Sequence, residues 1–316
     1  MYGMRKALVI GLDKYPSAPL QGAANDAHSV FSVLKSNSDG SPNFDSKLIA
    51  NECSKAELKR AIRDLFEGEN DIALLYFSGH GVVTSTGGYI ATTDYQVDNE
   101  GVSMHDILSL ANDSKAKNKI IILDCCHSGT FGIQNCDKET GLASICEGMT
   151  VLTASRKDEA ALEVNGSSVF TSLLVEALHG GASDLLGHVT PSSVYSYIDR
   201  TLGAWDQRPI FKTNVSTFTS LRKVNPPIAI EVLRKISDYF SSAEESFQLD
   251  PSFEPDSDNP DPVNTEIFGN LQRLARVGLV VPVDADHMYY AAMNSTACRL
   301  TAMGYHYWKL AKAHKI

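Results

Sequence analysis

The sequence predicts an α/β fold, a mostly parallel sheet with helices on both faces, followed by a small α+β module. Three observations lead there. Apolar runs of strand length alternate with helical patterns through the first two-thirds of the chain. Two of those runs end in short glycine-containing stretches rich in His, Cys and Ser. The alternation then breaks after about residue 225, where acidic residues and prolines accumulate.

Each element has a local reason. K-A-L-V-I-G-L (6–12) is a short apolar run and reads as a buried strand ending near Gly11. Residues 23–35 place Ala27, Val30, Phe31 and Leu34 on one helical face. S-K-L-I-A (46–50) is a second strand, and Ser54-x-x-Glu57 is a capping box for a helix at 55–66. D-I-A-L-L-Y-F (71–77) is the clearest buried strand and stops at S-G-H-G. G-Y-I-A-T-T-D (88–94) suggests a small hairpin, and Ser103-x-x-Asp106 starts another helix. Strands follow at 119–124 and 149–155, and helices near 168–178 and 191–202, the latter with Thr190 as cap and Pro191 in its first turn. P-I-F-K-T (209–213) is a last strand.

These elements give an expected division into a domain over 1–225, a helical, acidic and Pro-Asp-rich linker over 226–262 and a module over 263–316. Eight acids and no Lys or Arg lie between residues 238 and 262, and D-P-S-F-E-P-D-S-D-N-P-D-P reads as flexible and extended. In the module, a helix at 265–276, a strand after Gly278, a partner strand at M-Y-Y-A-A-M and a helix at 301–314 resemble a winged helix.

Composition excludes several classes. The formal charge of −10 argues against a general nucleic-acid binder. No run approaches the ~18 apolar residues of a membrane span, and the first apolar stretch is shorter than a signal sequence needs. A cytoplasmic protein with six reduced cysteines is expected.

D-C-C-H-S-G (124–129), after the run I-I-I-L, raises the question of chemistry. Cys125, Cys126 and His127 are consecutive, and consecutive residues at a strand end diverge, so they close a zinc tetrahedron poorly. A vicinal disulfide needs a strained peptide. A nucleophilic cysteine needs a base. Among nine histidines, His80 alone directly follows a buried strand, between two glycines. The competing reading of His80 is a structural histidine in a turn. Strand alternation pairs Leu123 with Cys125 and Asp124 with Cys126, but a break at the strand end would undo that pairing.

Y-F-S-G-H-G (76–81) and L-D-C-C-H-S-G (123–129), in this order, resemble the His and Cys motifs of the caspase-like cysteine peptidases, and D-x-C-H-S-G resembles the metacaspase branch. K-A-L-V-I-G-L-D-K-Y, L-Q-G-A-A-N-D-A (20–27), L-T-A-S-x-x-x-x-x-A-x-E (152–163), V-F-T (169–171) and Q-R-P (207–209) extend the likeness over roughly residues 5–220. The resemblance implies a caspase-like sheet sandwiched by helices. It implies Cys126 as nucleophile, His80 as general base, and Gly81 and Cys126 as backbone donors to the oxyanion. Cys125 then holds a variable packing position, and a Cys–His dyad acts without a third member.

The same resemblance puts Asp26 and Asp124 in the S1 pocket. No arginine stands near Asp26 to bind an acidic P1 side chain. Two carboxylates attract a cation, so the expected substrate is a protein or peptide with Arg or Lys at P1. The competing reading makes Asp26 a helix N-terminal acid and Asp124 a loop contact.

No cofactor is needed for this chemistry. Asp137, Glu139 and Glu147 lack a Ca²⁺-loop spacing, so a solvated acidic loop is the simpler reading, with Ca²⁺, proteolysis and partner binding all open as activators. The module carries six Lys or Arg against three acids, a thin footprint for DNA, and a regulatory protein partner is favoured. The functional expectation is a cysteine endopeptidase, and the alternative is a catalytically idle caspase-like scaffold.

Overall fold

The computed structural model describes residues 3–96, 99–125, 145–154, 163–164, 166–202 and 208–316. In chain order the first part comprises β1 (Arg5–Leu12), α1 (Ala23–Lys35), β2 (Asp45–Asn51), α2 (Lys55–Phe66), β3 (Ile72–Ser78), β4 (Gly81–Thr84), β5 (Gly87–Ile90), β6 (Val102–Ser103), α3 (Met104–Asp113), β7 (Asn118–Asp124) and β8 (Met149–Thr153). It continues with β9 (Glu163–Val164), β10 (Ser167–Ser168), α4 (Val169–Glu176), β11 (His188–Val189), α5 (Pro191–Leu202), β12 (Ile210–Asn214) and β13 (Arg222–Lys223). Six strands form one sheet in the order β12-β8-β7-β3-β1-β2, parallel except for the edge strand β12. The predicted α/β class is what the chain adopts.

The two-residue period of each strand sorts the core. Leu8, Ile10, Leu75, Phe77, Ile121, Leu123 and Cys125 pack with residues of α2 and α3. Ala7, Val9, Leu74, Tyr76, Ile120 and Ile122 pack with α1, α4 and α5. Burying one such large apolar side chain contributes about 1.5–3 kcal/mol. Both faces are covered, which is why these strands read as continuous apolar runs.

Local signals act as expected. Ser54 and Glu57 form the capping box of α2, and Ser103 caps α3 through the N–H groups of His105 and Asp106. Thr190 and Ser193 cap each other at the start of α5. The first helix is capped from outside, since the Asp13 carboxylate accepts from the N–H groups of Ala23 and Ala24. The expected hairpin begins earlier than the sequence suggested, with β4 and β5 pairing directly after His80.

The chain divides into two units, Met1–Ser183 with His188–Asn225, and Asp184–Gly187 with Pro226–Ile316. The second contains α6 (Ile230–Arg234), α7 (Ile236–Tyr239), β14 (Ser246–Gln248), α8 (Pro262–Arg276), β15 (Val280–Val283), α9 (Met288–Met293), β16 (Ala297–Leu300) and α10 (Ala302–Lys312). Two expectations differ here. Residues 226–262 are folded, because Ile228, Val232, Leu233, Ile236, Phe240, Leu249 and Phe253 are buried in one core with α8 and β16. Those apolar residues outweigh the acidic, proline-rich composition around them. M-Y-Y-A-A-M is α9 rather than a strand, with Met288, Ala291 and Ala292 buried at helical spacing. The strand partner of β15 is β16. Among the described residues no helix is long and apolar enough to cross a membrane.

Candidate active site

The site begins where β3 and β7 end together. Their register sets Ser78 opposite Asp124, and the Gly79 N–H reaches the Asp124 carbonyl at 3.4 Å. In open parallel sheets the carboxyl ends of the strands are where ligands bind. Gly79 turns the chain out of β3 at φ +156°, and a Cβ there would lie 2.6 Å from the Tyr15 hydroxyl and 2.9 Å from the Phe77 ring. Only glycine fits that turn without displacing its neighbours.

His80 follows, half-buried, and is held on three sides. Its N–H donates to the Tyr15 hydroxyl at 3.1 Å, and its carbonyl accepts from the Ala91 N–H at 2.9 Å. The Tyr15 ring lies 4.6 Å from the imidazole, centre to centre, and its hydroxyl donates to the Ala91 carbonyl at 3.3 Å. Burial raises the Tyr15 phenol well above its ordinary value, so it stays a donor. Nε2 of His80 lies 2.7 Å from the Ala18 carbonyl. A carbonyl can only accept, so Nε2 carries a hydrogen, and in the neutral tautomer this contact selects the lone pair is on Nδ1.

The two acids meet beside this turn, on the opposite face of β7 from Leu123 and Cys125. Asp26 of α1 is 2% exposed and Asp124 at the end of β7 is 4% exposed. Asp26 accepts from the Ser168 N–H at 3.2 Å and from the Ser78 hydroxyl at 3.2 Å. Asp124 accepts from the Thr171 hydroxyl at 2.7 Å, and Thr171 lies 2.6 Å from the Tyr76 hydroxyl. Burial, together with the nearby Asp124 charge, raises the Asp26 carboxyl to about 7, while the bonds from Ser168 and Ser78 partly oppose that rise. Asn25, next to Asp26, donates to the Gly166 carbonyl and the Ser167 hydroxyl, so this short stretch of α1 also anchors β10.

Cys125 is 1% exposed, inside the apolar cluster with Leu123. Cys126, His127, Asp137 and Glu139 lie outside the described residues. Gly81 is half-buried and opens β4 opposite Ile90. Glu147 accepts from the Ser216 hydroxyl, and its carbonyl from Lys119. Among the described residues no group of three or more His, Cys, Asp or Glu is arranged to hold a metal ion.

Reading the sequence singled out His80, Asp26 and Asp124 as candidates but missed what holds them. The Ala18 carbonyl is a backbone group and leaves no signature in side-chain identity. Tyr15 ends the D-K-Y stretch and Thr171 ends V-F-T, so both were visible as motif members without a role. The arrangement offers an imidazole fixed by the Ala18 carbonyl and, where β3 and β7 end, two buried carboxyl groups close enough to interact.

The family model for the caspase domain matches residues 4–217. A comparison with curated proteins gave no match. With that match over two-thirds of its length, on a mostly parallel six-stranded sheet that ends in the His and Cys motifs, the chain belongs to the caspase-domain family of cysteine peptidases.

Proposed function

We propose that this chain is a cysteine endopeptidase of metacaspase-like type that cleaves proteins after Arg or Lys. The observation that carries the reading is the convergence of the buried carboxylates of Asp26 and Asp124 where β3 and β7 end, beside His80. Two carboxylates buried this close together are costly unless a cation joins them, and a P1 guanidinium or ammonium supplies it. An acidic P1 side chain would add a further negative charge beside Asp124 and is rejected.

The nucleophile is Cys126. Cys125 is buried in the core, and a thiol enclosed by apolar side chains cannot reach a peptide bond. Ser78 and Asp124 are register partners, and His80 and Cys126 each follow two residues later in the sequence. The Cys126 thiol gives its proton to Nδ1 of His80, and the thiolate adds to the scissile carbonyl. The Ala18 carbonyl holds the opposite nitrogen and favours the imidazolium that forms. Backbone N–H groups of Gly81 and Cys126 receive the oxyanion, each such donor contributing about 3 kcal/mol. The imidazolium then protonates the leaving amine, and water releases the acyl group from sulfur.

Regulation belongs to the same proposal. Asp26 and Asp124 are almost fully covered, so a substrate side chain reaches them only after a rearrangement. Ca²⁺, a cut in the segment between β7 and β8, or a protein partner acting through 263–316 would supply it. The acidic charge disfavours nucleic-acid binding, and a cytoplasmic location completes the proposal.

A peptidyl-arginine chloromethyl ketone tests this reading. Mass spectrometry should find alkylation at Cys126 alone, and a peptidyl-aspartate analogue should leave the protein unmodified. Alkylation at Cys125, or by the aspartate analogue only, would overturn it.

A further inference from the structure

Buried polar chains usually serve a purpose, because each unsatisfied member costs free energy. One such chain runs behind the acid pair. Tyr76 lies mid-sheet on β3 with no exposed surface. Its hydroxyl is 2.6 Å from Thr171 Oγ1, in the first turn of α4, and Thr171 donates to Asp124 Oδ2 at 2.7 Å. Thr171 has one hydroxyl hydrogen and spends it on Asp124. The short contact with Tyr76 therefore runs one way, with Tyr76 donating to Thr171. Burial and the charges of Asp124 and Asp26 raise the Tyr76 phenol well above its ordinary value, so this donor keeps its proton at any working pH. Asp26 accepts from Ser168 and Ser78, and Ser78 is also hydrogen-bonded to Tyr76.

The consequence concerns geometry. A carboxylate that accepts from a fixed donor at one oxygen is restrained in the orientations of its plane. A guanidinium forks onto a carboxylate in that plane through two parallel bonds, whereas an ammonium is a point charge that accepts many orientations. Loosening the carboxylate should therefore cost arginine more than lysine.

Resting on the proposed Arg/Lys peptidase, we propose that Thr171, oriented by Tyr76, is the positioning residue that fixes Asp124 and makes the enzyme prefer arginine over lysine at P1. Thr171 bonds to the acid and not to substrate. Its role is to present one face of Asp124.

Paired peptides differing only in Arg or Lys at P1 test it, on the full-length chain with kcat and KM determined separately. Thr171→Val should lower kcat/KM for arginine about 10-fold or more, mainly through KM, and lower lysine cleavage less than about 3-fold. Thr171→Ser restores the donor and should restore the ratio. Tyr76→Phe should shift the ratio the same way by a smaller factor. Melting temperatures identify folded variants, and if Thr171→Val fails to fold, Tyr76→Phe and Thr171→Ser carry the test. Equal losses for both peptides, or an unchanged ratio, would overturn the inference. Asp124→Asn separates the two levels. If Asp124→Asn abolishes arginine cleavage while Thr171→Val leaves the ratio intact, this inference alone fails. If Asp124→Asn leaves arginine cleavage intact, the S1 reading fails and takes the inference with it.

Discussion

In the unit that holds the six-stranded sheet, Asp26, Lys119, Asp124 and Arg222 are all buried, whereas in the second unit Glu254 is the one buried charge among the described residues. The two buried cations of the first unit are satisfied by carbonyls, Lys119 by that of Glu147 and Arg222 by those of Ser36 and Leu178. The two carboxylates are different. They lie close enough for Asp124 to raise the Asp26 pKa, a like-charge arrangement that does nothing for folding. The second unit, with its core of Phe240, Phe268, Leu271, Leu274 and Cys298, carries no such cost. The contrast puts the costly like-charge pair beside the carboxyl ends of β3 and β7, at the candidate site.

That contrast can be broken by substitution, beginning with the largest effect. His80→Ala should lower kcat by roughly 10³-fold or more with a much smaller effect on the melting temperature, because the half-buried ring gives up only its Tyr15 contact and its bond to the Ala18 carbonyl. A melting temperature that falls in step with activity would return His80 to a structural role. Asp124→Asn should lower kcat/KM for P1 arginine roughly 100-fold, the loss of a charged partner. Unimpaired arginine cleavage would make the buried acid a loop contact.

Asp26 sharpens the comparison through pH. Its folded pKa is about 7 and its ordinary value is 3.8, so the folded chain keeps a proton that the unfolded chain has lost over that range. Folding stability should fall as pH rises from about 4 to about 7, and Asp26→Asn should flatten that slope. Over the same upper range Asp26 gains its charge, so KM for P1 arginine should fall as pH rises through about 7. Melting curves and KM measured at pH 5.5 and 8 check both signs. The smallest effect on activity belongs to the second unit. Leu271→Ala should cost about 2–5 kcal/mol of stability through its cavity, with kcat of the folded protein unchanged.

Much of the fold was legible because its rules are local. The capping boxes, the runs of β3 and β7 and the spacing of α1 each follow from short-range periodicity. The folded state of 226–262 was not legible, since its buried residues are spread among acids and prolines and meet only through the tertiary core. Likewise α9 is short, and six residues cannot separate a buried helix from a strand by pattern alone. At the site, His80 and the acids were readable as residue types in motifs. What orients them was not, because a backbone carbonyl from Ala18 and a threonine one helix away depend on the three-dimensional path of the chain.

The most direct measurement is a fluorogenic panel with Arg, Lys or Asp at P1, with and without Ca²⁺, on the unsubstituted chain, Cys126→Ala and Cys125→Ala. Cleavage after Arg and Lys that disappears in Cys126→Ala and persists in Cys125→Ala is the predicted result. Cleavage after Asp, or activity that survives Cys126→Ala, would contradict the account at its centre.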